Sequence, residues 1–360
     1  MHLDRLWITD FRNYHQAELA PAPSGLTVIV GNNGEGKTNL LEAVGYLGTL
    51  RSFRGAPPEA LVRRGAEQAV VRAEAGRDGR RLLIEAELRP SGRDRVQVNR
   101  QPLRRTRDLL GAIQVSVFAP DDLALVKAGP QGRRDFLDDL LVALQPRHDG
   151  LRSDLDRILR QRNALLKQAG GNPRPPADIV TTLDVWDRKL AEVGTAIADA
   201  REALLASLGP RLAAMYDQVA ERAAQVSLDY QRSWAGSLAD ALAGARSEDL
   251  RRAITTLGPQ RDELVIALAG LPTRTHASQG EQRSVALALR LAGHLLVTEQ
   301  LGSPPVLLLD DVFSELDADR SAALLDALPL GQALVTTASQ LPPQARPELL
   351  VRVEAGKILP

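Results

Sequence analysis

Leu26-Thr27-Val28-Ile29-Val30-Gly31-Asn32-Asn33-Gly34-Glu35-Gly36-Lys37-Thr38 decides the fold. Residues 26–30 are apolar or β-branched and predict a buried strand that stops at Gly31. Gly31 to Thr38 fits G-x-x-x-x-G-K-[ST] without a mismatch, and Thr38 to Leu50 follows with Leu40, Leu41, Val44 and Leu47 at helical spacing. A glycine-rich loop between strand and helix lets backbone N–H groups wrap phosphates at a positive helix N-terminus. In that setting Lys37 should reach the β- and γ-phosphates, and the Thr38 hydroxyl should ligate Mg²⁺.

Downstream of the helix, 68–75, 81–88 and 95–99 read as a short meander broken by Gly76, Gly79 and Gly92, and 113–118 as a further strand. From about Arg133 to Ala224 the period becomes helical. Leu183, Trp186, Leu190, Val193, Ile197, Ala200 and Leu204 form one seam, and Leu151, Leu155, Ile158 and Leu165 another. Gly170-Gly171-Asn172-Pro173 and Pro175-Pro176 separate them, and Gly209-Pro210 is expected to interrupt the later helix. This is a helical hairpin or small bundle, too short for a long coiled-coil arm, with its two seams packed on each other. After it come strands at 263–269, 306–309 and 333–336 and a helix over 278–296. The expected fold is α/β: a phosphate-loop head in two parts, 1–125 and 251–360, split by a helical lobe at 126–250.

Composition narrows the classes. The chain has 360 residues, 44% hydrophobic and 25% charged, as in ordinary globular protein. There is no cysteine, so disulfides and thiolate metal sites are excluded. No apolar run is long enough to span a membrane, and the first residues lack a signal-peptide block, so a cytoplasmic location is expected. The formal net charge is zero, so any contact with a polyanion must use a local patch. Basic clusters occur at Arg51 and Arg54, Arg93 to Arg107, and Arg147 to Arg162, each interleaved with acids, and the plain reading of each is a solvated face. Aromatic residues make up only 3%, too few for a groove that stacks bases.

Val306-Leu307-Leu308-Leu309-Asp310-Asp311 completes the phosphate-loop reading. A buried strand delivers Asp310 to hold Mg²⁺, directly or through water, and Asp311 to orient or deprotonate an attacking water. Ser278-Gln279-Gly280-Glu281-Gln282-Arg283 precedes a helix, and Ser314-Glu315-Leu316-Asp317 follows the aspartates. Taken alone, Ser278 is an ordinary helix N-cap. The ordered set resembles ABC-type ATPases. That resemblance implies that Ser278, Gly280 and Gln282 touch nucleotide bound to a second subunit, so that two chains dimerise around ATP. It adds Asn32, Asn33, Glu35 and Asn39 to the nucleotide contacts beside Gly31, Gly34, Gly36, Lys37 and Thr38.

Lys37 and Ser278 stand 241 positions apart, further than in transporter ATPases and closer than in long-armed chromosome proteins. The intermediate spacing is similar to that of the RecF family of bacterial recombination mediators. The strings that carry the likeness are Phe11-Arg12-Asn13-Tyr14, Gly34 to Ala43, Gly129-Pro130 with Arg133 to Asp138, Leu159 to Leu166, Gly258 to Leu264, and Leu309 to Asp317. Membership would imply ATP and Mg²⁺ as cofactors and an ATP-dependent homodimer on gapped DNA or single-strand/double-strand junctions. It would also imply action with RecR and RecO to load RecA, a part in SOS induction, and no membrane role. In such a dimer two lobes would flank DNA, with Arg152, Arg160 and Arg162 the residues expected to touch it. A transporter ATPase conflicts with the spacing, and a nuclease fusion needs a second carboxylate cluster, which the sequence lacks. An SMC-like ATPase with another DNA-clamp or defence role is the alternative. DNA retention that needs ATP and leaves the strands uncut discriminates these.

Two departures from the ABC pattern bear on rate. Asp311 stands where most members carry Glu, and Ala333-Leu334-Val335-Thr336-Thr337 offers no switch histidine; the five histidines are elsewhere. Slow, switch-like hydrolysis is expected. Gln114 is the available residue for a lobe-coupling glutamine, or else an ordinary strand residue.

Overall fold

The computed structural model describes residues 1–77, 79–172, 175–220, 224–328, 331–338 and 341–359. The chain divides into two compact units: Met1–Leu123 with Arg211–Ala224 and Ser278–Pro360, and Ala124–Pro210 with Gln225–Ala277.

The first unit holds two sheets. One is antiparallel, ordered β2-β1-β4-β5-β6-β7. Its strands are β1 (His2–Phe11), β2 (Tyr14–Leu19), β4 (Ala69–Arg77), β5 (Arg80–Leu88), β6 (Arg95–Val98) and β7 (Gln101–Pro102). The other is ordered β15-β14-β3-β13-β12-β8. It comprises β3 (Gly25–Val30), β8 (Val115–Phe118), β12 (Val306–Asp310), β13 (Gln332–Thr337) and β14 (Leu349–Glu354), all parallel, with β15 (Lys357–Leu359) antiparallel at the edge. The meander read from the sequence is the antiparallel sheet, to which β1 and β2 add a hairpin that the glycine pattern did not mark.

Helix α1 (Lys37–Thr49) shares one core with both sheets. Leu40, Leu41, Val44 and Leu47 pack with Leu6, Ile8, Val71 and Ile84 of one sheet and Ile29, Leu308, Leu334 and Val351 of the other. Each fully buried aliphatic contributes about 1.5–3 kcal/mol, so the helix that ends the phosphate loop is anchored along its length. β12 is buried at every residue, with Val306 and Leu308 in this core, as a parallel strand covered on both faces is, which accounts for its unbroken apolar run. The unit also contains the short α2 (Pro58–Leu61), α9 (Gln279–Leu301) and α10 (Ala318–Ala327).

The second unit begins within α3 (Leu123–Lys127) and holds α4 (Pro130–Leu144), α5 (His148–Gln168), most of α6 (Ala177–Val219), β9 (Val226–Gln231), α7 (Leu238–Arg252), β10 (Glu263–Leu268), β11 (Leu271–Pro272) and α8 (Thr273–His276). The two predicted seams meet in cores shared with α7. Leu155 and Ile158 pack with Leu190, Ile197 and Leu242, and Leu166 packs with Leu183 and Leu250. Two expectations change. The lobe continues past 250 to Ala277, because β10 pairs antiparallel with β9 rather than joining the head sheet. And α6 is one helix of 43 residues with Pro210 inside it, not interrupted there; Leu208 and Leu212, fully buried on either side, hold it together across the missing N–H. Pro173, assigned to the turn before α6, lies outside the described residues.

The strings of this unit that carry the likeness are tied by arginine clasps. Arg133 donates to Glu263 Oε1 at 2.8 Å and to the Leu125 and Ala128 carbonyls at 3.0 Å each. Arg134 donates to the Asp262 carbonyl at 2.7 Å. Arg201 forks onto both Asp138 oxygens and reaches the Pro259 carbonyl at 2.9 Å. Thus 129–138 and 258–264 are buried against each other by arginine. Arg162, fully buried, bonds Asp187 at 2.6 Å, Asp249 at 2.7 Å and Thr255 at 2.9 Å.

Candidate nucleotide site

The parallel strands fix where a site can form. The register sets Asp310 beside Thr336, and Thr336 beside Ile29, so β12, β13 and β3 end together at their carboxyl edge, where the glycine-rich loop begins. Gly36 caps α1 at φ 114°, a left-handed conformation that favours glycine. A Cβ there would also stand 2.7 Å from Asn13 Nδ2 and 2.9 Å from Tyr14. Asn33 and Gly34 form the exposed crest of the loop, while Lys37 is buried. Lys37 Nζ donates to the Gly31 and Asn32 carbonyls at 2.8 Å each, so its ammonium lies across the loop with a third donor to give.

Thr38 Oγ1 donates to Asp310 Oδ1 at 2.7 Å, and Thr336 Oγ1 donates to the same oxygen at 2.7 Å. Burial pushes the Asp310 carboxyl above the ordinary aspartate range, while the Thr336 and Thr38 hydroxyls pull it back. Asp311 sits at φ 47°, and its amide bonds both Thr336 Oγ1 at 3.0 Å and the Thr336 carbonyl at 3.1 Å. Its Oδ1 is buried and makes no hydrogen bond among the described residues. Thr38 and Asp310 supply adjacent hard oxygens, which fit a Mg²⁺ ion that arrives with phosphates and keeps most of its shell. No cluster of three acidic or histidine ligands exists among the described residues, and such an ion does not need one.

Ser278, Gly280 and Gln282 are not part of this cluster. Ser278 is the N-cap of α9 in a reciprocal box: its amide donates to Glu281 Oε2 at 2.7 Å and its hydroxyl accepts from the Glu281 amide at 3.3 Å. Gly280 lies against Arg320, whose NH2 is 2.6 Å from where a Cβ would be. Arg320 pairs with Asp317 at 2.6 Å, so the signature segment and the loop after the aspartates are joined through one arginine. Gln282 is buried. Gln114 stands just before β8, at the opposite strand end from Asp310, and its amide meets Met1 Sδ; it is neither a strand residue nor beside the aspartates where a lobe-coupling glutamine was expected. Arg162 is fully buried and Arg152 is paired with Asp135 and Asp139, so of the three lobe arginines expected to meet DNA only Arg160 is exposed and unpaired.

Several residues of the site had no assigned role from the sequence. Arg12 forks onto buried Glu42 with two bonds of 2.6 Å, fixing α1. Asn13 Nδ2 bonds the Glu35 carbonyl at 3.1 Å, Asn39 Nδ2 bonds Asn13 Oδ1 at 2.8 Å, and Tyr14 OH bonds the Gly36 carbonyl at 3.1 Å. Burial raises the Tyr14 hydroxyl well above its usual pKa, so it stays a donor. The β14–β15 turn completes the brace: the Ala355 amide donates to the Glu35 carboxylate and the Gly356 amide to the Glu35 carbonyl at 3.0 Å. An open cleft beside Asn13 and Asn39 is lined by Arg12, Arg54 and Arg64.

Comparison with known proteins agrees with this geometry. The family model described as the RecF/RecN/SMC N-terminal domain matches residues 2–342. A DNA replication and repair protein RecF of Streptomyces avermitilis is 44% identical over 355 residues, 94% of either chain. Its counterpart in Kineococcus radiotolerans is 44% identical over 364 residues, covering 94% of this chain and 93% of the other. A solved structure of the recombination mediator RecF with ATP, in the RecFOR pathway, superposes with a TM-score of 0.90 at 29% identity, covering 99% and 97% of the two chains. An Smc head bound to the C-terminal winged-helix domain of ScpA, at 16% identity and a TM-score of 0.59, shares the fold. With a phosphate loop, an aspartate strand and an α9 signature laid out as in these ATPase heads, the chain belongs to the RecF/RecN/SMC family, in its RecF branch.

Proposed function

We propose that this chain is an ATP-gated DNA-binding protein of replication and recombinational repair, which dimerises around ATP on gapped DNA or single-strand/double-strand junctions and works with RecO and RecR to load RecA. The observation that carries the ATP part is the Thr38–Asp310 contact of 2.7 Å, which joins the phosphate loop to the aspartate strand. The DNA and partner parts are supported by 44% identity to RecF repair proteins across nearly the full chain.

Amides of the loop and the Lys37 ammonium would bind the phosphates, and the cleft of Arg12, Arg54 and Arg64 would take the rest of the nucleotide. Thr38 and Asp310 would hold Mg²⁺, which neutralises phosphate charge. The unpartnered Asp311 Oδ1 is the group available to take a proton from water. Asp311 is one methylene shorter than Glu, and β13 ends in Thr336-Thr337 with no histidine there, so proton removal is poorly reached and turnover slow. Ser278 lies on the exposed N-cap of α9, away from its own chain's loop contacts, as a residue completing a second subunit's site would. Retention of gapped DNA on beads tests this. ATP should support retention without strand cleavage, ADP should not, and Lys37→Met should lose it while remaining folded. Normal retention by folded Lys37→Met would overturn the proposal.

A further inference from the structure

The lobe arginines Arg133, Arg134, Arg162 and Arg201 are occupied by buried clasps, whereas most of those along the β5–β7 side of the antiparallel sheet are exposed. Between Gly79 and Arg107 the chain carries nine arginines against three acids, although the whole chain is neutral. All three acids are already engaged. Glu85 meets Arg72 and Gln97, Glu87 meets Arg89, and Asp94 accepts from Tyr46 OH at 3.0 Å and the Arg89 amide at 3.1 Å. Just beyond, Asp108 caps the Arg105 amide at 3.2 Å.

The register collects the remaining arginines into two groups. Ile84 stands opposite Val98, which continues to place 82 opposite 100; Arg80, Arg81 and Arg100 therefore share one end of β5 and β6. At the other end are Arg93 and Arg95, with Arg104 and Arg105 brought alongside because the Leu103 amide bonds the Val96 carbonyl at 2.9 Å. All seven are exposed, and among the described residues none of their side chains has an ion-pair or hydrogen-bond partner. The groups are about five strand residues apart, roughly 17 Å.

Backbone conformation marks the same place. Asn99 and Arg100 form the β6–β7 turn at φ 51° and 64°. Such turns favour Asn-Gly, so the second position holds an arginine against its backbone preference. Unpaired cations on a strained turn are kept at a cost to stability. The segment from Gly79 to Arg107 contains no aromatic residue on which an unpaired base could stack, which favours the phosphate backbone of a duplex over a single strand.

We propose that the β5–β7 edge of the antiparallel sheet is a contact surface for the phosphate backbone of double-stranded DNA. The proposal rests on the DNA-binding reading above and locates it on the head rather than on lobe residues 152–162. The test is affinity for a blunt 30-base-pair duplex in ATP between 50 and 200 mM salt. Three proteins are compared: wild type, Arg80→Gln/Arg81→Gln/Arg100→Asn, and Arg93→Gln/Arg95→Gln/Arg104→Gln/Arg105→Gln. ATP binding and melting temperature are the controls. Three lost phosphate contacts should lower the salt slope by about 2.7, making affinity about fortyfold less salt-sensitive across that range. ATP binding should be unchanged. If wild type binds duplex and both variants keep its slope, the surface is wrong while the DNA reading stands. If wild type retains no DNA at any salt, both fall. Variants that lose single-stranded DNA or phosphatidylserine vesicles but keep the duplex would overturn the assignment to duplex backbone.

Discussion

Thr336→Val removes one hydroxyl and leaves a side chain of nearly the same shape on β13, where position 336 is fully buried. That hydroxyl donates to Asp310 Oδ1 at 2.7 Å and accepts from the Asp311 amide at 3.0 Å. The amide keeps a second partner, the Thr336 carbonyl at 3.1 Å, so the loss falls mainly on Asp310. A hydrogen bond to a charged group contributes about 1.5–3 kcal/mol, equivalent to about ten- to a hundredfold in an equilibrium constant. Burial already lifts the Asp310 pKa, and removing a donor to its ionised form lifts it further. Protons then compete better with Mg²⁺ at this carboxylate. The expected result is an Mg²⁺ half-saturation for ATP turnover raised about ten- to a hundredfold, more at pH 6 than at pH 8. Thr336→Ser should restore it. Thr336→Val with half-saturation within about twofold of wild type at both pH values, against the ten- to a hundredfold loss expected of such partners, would refute the reasoning.

Asp311→Asn should lower single-turnover hydrolysis further and lengthen the life of the DNA-bound complex; a shortened life would contradict the switch reading. His294 is buried with both ring nitrogens unpartnered among the described residues, and burial pushes its pKa down to about 4. The unfolded chain therefore takes up the proton below about pH 6.5 while the folded chain does not, so stability falls with falling pH. The loss should reach about 2 kcal/mol by pH 5, and His294→Leu should flatten the urea-midpoint profile between pH 7 and pH 5. Arg162→Met leaves Asp187 and Asp249 facing a buried gap and should cost about 3–5 kcal/mol, whereas Arg160→Gln should leave the urea midpoint unchanged.

The phosphate loop was legible because strand, loop and helix are contiguous, so spacing alone sets them side by side. Asp310 was legible only through the phosphate loop: four apolar residues before a carboxylate are by themselves an ordinary strand end, and the loop upstream gives the aspartate its role. Thr336 was not, because a β-branched residue in a strand looks structural, and only the β12–β13 register reveals that it faces Asp310. Nor did the sequence show that Ala355 and Gly356 would brace Glu35 from 320 residues away. Runs 129–138 and 258–264 were legible only as strings that carry a family likeness; the sequence did not show that Arg133 and Arg134 would tie them together through Glu263 and Asp262, or that Asp138 would pair with Arg201. Pro210 misled because helix packing on both sides outweighed a local preference.

Sedimentation velocity with ATP, with ADP and without nucleotide, on wild type and Ser278→Arg, tests the central claim most directly, gapped DNA being added in a second series. Wild type should be monomeric without nucleotide, dimeric in ATP and monomeric again in ADP, with DNA strengthening the ATP dimer by mass action. Ser278→Arg should bind ATP and remain a monomer. Dimers that form equally without nucleotide, or an ATP-bound Ser278→Arg dimer, would contradict a site completed across two chains.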